Sequence, residues 1–178
     1  MSLEPGSTSI YLVRHAEAGD RTDRADDHLR PLSGAGRYQA RSLAAAFESV
    51  DVVDILSSPY LRCVETLEPL AGRRDRTVER THVLAEGAPI DAVLRLLEQA
   101  PARSVLCTHG DIMTGLLEHV AVSDTVGCTD PLAKGVVWVL QRSGNCVSVV
   151  RVLAAPATSD STVQEQHSHL RAVAGVAS

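Results

Sequence analysis

Aromatic side chains are nearly absent: they make up 3% of the 178 residues, and Trp138 and Phe47 are the sole members of their types. The core must therefore be built from Leu, Val, Ile and Ala, and no aromatic platform exists on which bases could stack. Net positive charge is missing too. At −5 the chain lacks the electrostatic footprint of a nucleic-acid binder. The four cysteines, Cys63, Cys107, Cys128 and Cys146, stand far apart with no Cys-x-x-Cys pair. That spacing fits neither a disulfide framework nor a zinc site, and suits reduced thiols in a cytoplasmic protein. No apolar run approaches the ~20 residues of a membrane span. No basic start followed by an apolar stretch marks a secreted chain. Lysine is the last scarcity: of 17 basic residues only Lys134 is not arginine. Most of that bias reads as genome composition, yet the forked guanidinium is also the side chain best suited to grip a phosphate.

What is present is ordinary globular material, 44% hydrophobic and 22% charged. The length suits one domain able to bury roughly 70% of its unfolded surface. Residues 1–8 read as a flexible lead, 9–153 as the folded domain, and 154–178, rich in Ala, Ser and Thr, as a tail that is weakly docked or disordered. Within the domain, apolar β-rich runs at 9–13, 52–56, 77–84 and 103–108 alternate with helical patterns. Those helices are expected after Ser33, a possible N-cap, from about residue 60 to 70, after Pro89, and over 112–120. Ser58 before Pro59 reads as the cap of the second helix. Two final apolar runs flank Ser143-Gly144-Asn145 as a hairpin. Strand and helix alternate four times, which predicts an α/β fold: a three-layer αβα sandwich on a mainly parallel sheet, with a C-terminal β-hairpin.

Functional residues of such sheets gather at the carboxyl ends of the strands. Arg14-His15, Ser57-Ser58, Glu86 and His109 each sit where an expected strand runs out. His15 and His109 on one edge can act as nucleophile, base or metal ligand. Metal binding is the weaker reading, because no HxxxH or HExxH is present and no carboxylates cluster with the pair. Arg62 near the start of a helix suits an anion site, although Glu65 and Glu68 lie at helical spacing for a surface ion pair. Trp138 can cover the sheet edge or make a dimer contact. Arg21 and Arg24 read as a solvated mixed-charge loop, His167 and His169 as solvent-facing, and Cys63 and Cys107 as buried structural thiols.

These motifs resemble the histidine phosphatase superfamily, the phosphoglycerate-mutase-like proteins. Leu12-Val13-Arg14-His15-Ala16 is similar to the family's Arg-His-Gly signature. The run from Ser57-Ser58-Pro59 through Arg62 to Thr66 is similar to its second motif, and Thr108-His109-Gly110 to its third. The resemblance covers roughly residues 9 to 153 and is closest to the small phosphohistidine phosphatases. It is also similar to phosphatase-like domains joined to Nudix hydrolases. It implies a phosphatase with His15 as the nucleophile that becomes phosphohistidine. Arg14, Arg62 and His109 would bind the transferring oxygens, and Glu86, or alternatively Asp111, would donate the leaving-group proton. No cofactor and no metal are implied. The substrate would be a phosphorylated small molecule, nucleotides included, or a phosphoprotein. Ala16 in place of glycine is a small change that should keep the backbone turn if φ stays negative. Glu17-Ala18-Gly19-Asp20 in place of the mutases' serine and asparagine, and the absence of their insertions in so short a chain, speak against mutase activity. The rival reading is a phospho-ligand binding domain without turnover.

Overall fold

The computed structural model describes residues 8–20, 26–122, 130–144 and 146–154. The expected lead and tail, Arg21, Arg24, Cys128, His167 and His169 lie outside them, apart from residues 8 and 154 at the margins. In chain order the strands are β1 (Ile10–Arg14), β2 (Ile55–Ser57), β3 (Glu79–Arg80), β4 (Val105–Thr108), β5 (Ala121–Val122), β6 (Val137–Ser143) and β7 (Cys146–Leu153). The helices are α1 (Gly34–Ala46), α2 (Leu61–Arg73), α3 (Ile90–Gln99) and α4 (Gly110–Leu116). The strands form one sheet in the order β3-β2-β4-β1-β6-β7-β5. Its first four strands run parallel, and β6 and β7 close it as the antiparallel hairpin.

Each run of β1 residues serves both faces, which is why it reads as unbroken apolar sequence. Tyr11 and Val13 pack with Leu43 of α1, with Phe47 just past its end, and with Leu67 and Leu70 of α2. Ile10 and Leu12 pack with Val93 and Leu97 of α3 and with Ile112, Met113 and Leu116 of α4. Two apolar faces with helices on each make the three layers. Scarce aromatics are spent at the centre: the Tyr11 and Phe47 rings meet edge to face at 5.0 Å, and Trp138 is 1% exposed with Nε1 donating to Pro131 O. Trp138 is therefore core within the described fold and not a surface contact.

Three local expectations need correction, and one short strand has no counterpart among the expected elements. The strand expected over 77–84 is only Glu79–Arg80, followed by a 3-10 turn at His82–Leu84. It lies at the sheet edge, where the Thr81 side chain accepts from Val83 N–H and turns the chain away. Helix α2 starts at Leu61 with no side-chain cap; Ser58 lies just past β2, and Pro59 and Tyr60 form a bend before the helix. Helix α4 is Gly110–Leu116, earlier and shorter than 112–120. The two-residue β5 pairs parallel with β7 and was too short to carry a pattern. Ser33 does cap α1, accepting from Gly36 N–H at 3.0 Å.

Candidate active site

Because β2, β4 and β1 are neighbours in the sheet, their carboxyl ends lie side by side. Backbone bonds continue past the ladders there: His15 N–H donates to Thr108 O (3.0 Å) and Ser58 N–H to Cys107 O (2.9 Å). Arg14 and His15 both line the resulting cavity, as the lapse of strand alternation at a strand end allows. The cavity measures about 520 Å³, and His109, Arg62, Glu86 and Asp111 line it as well. All the residues singled out in the sequence for chemistry thus come together.

His15 is 6% exposed, and its Nδ1 lies 2.7 Å from the Ala16 carbonyl oxygen. A carbonyl only accepts, so Nδ1 carries the hydrogen and Nε2 keeps the lone pair. Burial lowers the His15 pKa to about 3; the bond to Ala16 O opposes the shift, and His109, Arg62 and Arg14 add to it. The ring is neutral at physiological pH. Ala16 keeps a negative φ in place of the glycine, and its N–H donates to Thr66 Oγ1 at 3.0 Å.

The His109 ring stands 5.4 Å from that of His15, centroid to centroid. Its Nδ1 lies 3.3 Å from Arg62 Nη2 and its Nε2 2.8 Å from Ser58 Oγ. Guanidinium only donates, so Nδ1 accepts here and Nε2–H donates to the serine. Ser58 is wholly buried, and its role is to hold this imidazole rather than to cap a helix. Cys63 Sγ backs the same nitrogen at 3.5 Å.

Arg62 sits in the first turn of α2 and is 1% exposed. Nη1 donates to Asp27 O (2.9 Å) and Asp27 Oδ2 (3.1 Å), and Nη2 to Glu86 Oε2 (2.6 Å). The Tyr60 ring lies 4.7 Å beneath its guanidinium carbon. The surface pairing with Glu65 or Glu68 does not form; Glu65 instead accepts from Leu32 N–H. Arg14 donates from Nη1 to Leu132 O. Burial lowers its pKa, and Asp130 and Asp111 offset part of that. Gly110 packs flat on this guanidinium, where a Cβ would fall 2.6 Å from Nη2. Any larger residue after His109 would displace the arginine. Asp111 accepts from Gly87 N–H at 2.7 Å, which fastens the loop carrying Glu86.

Sequence reasoning missed Asp27, the Leu132 carbonyl and Lys134, and misread Ser58. Only Ser58 had a usable signal, its place in the second motif. Among the described residues no group of three or more His, Cys, Asp or Glu could hold a metal ion.

The family model for the histidine phosphatase superfamily (branch 1) matches residues 10–88. Over 143 residues the chain is 35% identical to an 8-oxo-(d)GTP phosphatase of Mycolicibacterium smegmatis, a match covering 76% of this chain and 44% of that protein. The chain spans less than half the length of the curated relatives it matches. Among solved structures, the protein histidine phosphatase SixA complexed with tungstate superposes with a TM-score of 0.67 at 18% identity, over 82% of this chain and 96% of that one. A mycobacterial glucosyl-3-phosphoglycerate phosphatase does so with a TM-score of 0.54 at 16% identity, over 86% and 100%. At such identities the likeness is one of fold. Arg14, His15 and Arg62 lie inside the segment that matches the histidine phosphatase superfamily, and the sheet brings His109 beside them.

Proposed function

We propose that the chain is a phosphatase that takes a phosphoryl group onto His15 Nε2 and passes it to water, using no cofactor and no metal ion. The observation that carries this reading is the state of His15: a neutral ring with its hydrogen held at Nδ1 by Ala16 O and its lone pair at Nε2, in a cavity it shares with Arg14, Arg30 and Arg62. Attack at phosphorus forms the N–P bond as the ester P–O bond breaks. Glu86 yields Arg62 Nη2 to the phosphoryl oxygens and takes up a proton from solvent beside them. It gives that proton to the departing oxygen, then takes one back from the water that cleaves the phosphohistidine. Arg14, Arg62 and His109 hold the three transferring oxygens, His109 through Nδ1, which carries a hydrogen once Arg62 turns from it to the phosphoryl group. Arg14 Nε and Arg62 Nε are both buried with no hydrogen-bond partner. An oxyanion supplies the acceptor that such donors need. Asp111, whose carboxylate accepts from Gly87 N–H, is the alternative proton donor. The substrate class is a phosphorylated small molecule or phosphoprotein.

The test is to trap the intermediate. Wild-type protein in EDTA, mixed with an aryl phosphate labelled in its phosphoryl group and quenched in alkali, should carry label on the peptide containing His15. The label should survive base and be lost in mild acid. Turnover that needs a divalent ion, or that proceeds with no label on His15, would sink the reading.

Ser58→Ala leaves His109 Nε2 without its 2.8 Å partner in a buried site. A loss of roughly 1–2 kcal/mol is expected, about five- to thirtyfold in kcat/KM, read by steady-state kinetics beside a thermal melt. A change under about twofold would mean that the serine does not set the ring.

A further inference from the structure

Lys134 lies in the wall of the active-site cavity, and no step described above uses it. It is the one lysine of the chain. Its place is set by the next residue: Gly135 N–H lies 3.1 Å from the carbonyl oxygens of both Arg14 and His15, and a φ of 80° at Gly135 turns the chain there. The loop is also fastened by Leu132 O on Arg14 and by Trp138 Nε1 on Pro131 O. The other cations of the cavity are engaged. Arg62 holds Asp27 and Glu86, Arg30 holds Asp27 and Gly19 O, and Arg14 holds Leu132 O. Lys134 is exposed and has no ion pair or hydrogen bond among the described residues.

At about 520 Å³ the cavity far exceeds one tetrahedral phosphoryl group, and a second cavity of about 380 Å³ adjoins it across Gly19, Asp20 and Arg30. There is room for more substrate than the group transferred. An ammonium on a flexible stem is a point charge that can follow an anion without demanding one geometry. Resting on the phosphatase reading, the geometry points to a small substrate with two anionic groups, of which Lys134 holds the one that is not transferred. That second anion is the neighbouring phosphate of a nucleoside diphosphate or the carboxylate of a phosphorylated acid. A phosphohistidine side chain has no such group.

The experiment compares wild type, Lys134→Ala and Lys134→Arg on GDP, phosphoglycolate and phenyl phosphate. For the matching bis-anion, Lys134→Ala should lower kcat/KM relative to phenyl phosphate by about tenfold or more, chiefly through KM, and Lys134→Arg should retain most of it. A fall for GDP alone assigns a phosphate, and a fall for phosphoglycolate alone assigns a carboxylate. An unmoved ratio for both overturns the proposal. Calorimetry with pyrophosphate, phosphoglycolate and inorganic phosphate separates this from the catalytic reading. Tighter binding of a bis-anion that Lys134→Ala abolishes supports the subsite even where no turnover is seen. Equal affinities for all three in wild type overturn it.

Discussion

Replacing His15 by Ala should abolish turnover, with kcat falling on the order of 10⁴-fold or more, as for the removal of a nucleophile elsewhere. The ring has no substitute in the site. His109 stands 5.4 Å away, with its Nε2 given to Ser58 and its Nδ1 to Arg62. Binding of inorganic phosphate should survive, because the arginines remain. His15→Gln, closer in size, guards against a folding failure. Retained turnover in a folded variant would exclude the covalent route. The same residue shapes stability against pH. Its folded pKa of about 3 lies below the ordinary 6.5. Between those values the unfolded chain takes up a proton that the folded chain refuses, so stability present above pH 6.5 is lost as pH falls towards 3. Wild type should therefore lose melting temperature across that window more steeply than His15→Gln does.

Arg62→Ala should cost about 3–4 kcal/mol of transition-state stabilisation, or 10²–10³-fold in kcat/KM, the scale for one preorganised oxyanion donor. Arg62 is 1% exposed and joins Asp27, Glu86, Tyr60 and His109, so its loss also frees the loop bearing Asp27 and the proton donor. Arg62→Lys separates charge from shape. It keeps the cation and the fold but not the fork, and should still lose most of the effect. A loss below about tenfold in Arg62→Ala, with the melting temperature intact, would reduce Arg62 to a structural ion pair.

The legible part of this site was local. Each strand that carries chemistry is a short apolar run, buried on both faces, that ends abruptly in polar residues: Val13-Arg14-His15, Leu56-Ser57-Ser58, Cys107-Thr108-His109. A parallel sheet aligns those ends, so the strand pattern already put two histidines and an arginine on one edge. The misreadings were of residues whose partners lie elsewhere. Ser58 before Pro59 has every local mark of a cap, but the chain bends once more before α2 and gives its hydroxyl to His109, 51 positions on. The run over 77–84 is β-prone residue by residue, yet at the sheet edge only two residues find a ladder.

Sequence alone determined the α/β class, the order of the motifs and the reactive residue types. These follow from composition and from periods of two and 3.6 residues, which need no knowledge of distant contacts. Only the tertiary structure decided what each group does with its protons and charges. The tautomer of His15 depends on how the backbone turns at Ala16, and its low pKa on burial. Asp27 reaches Arg62 across 35 positions and Leu132 reaches Arg14 across 118. Such pairings are set by the closing of the sheet and carry no periodic signal, because one hydrogen bond between separate loops constrains two residues and leaves their neighbours free.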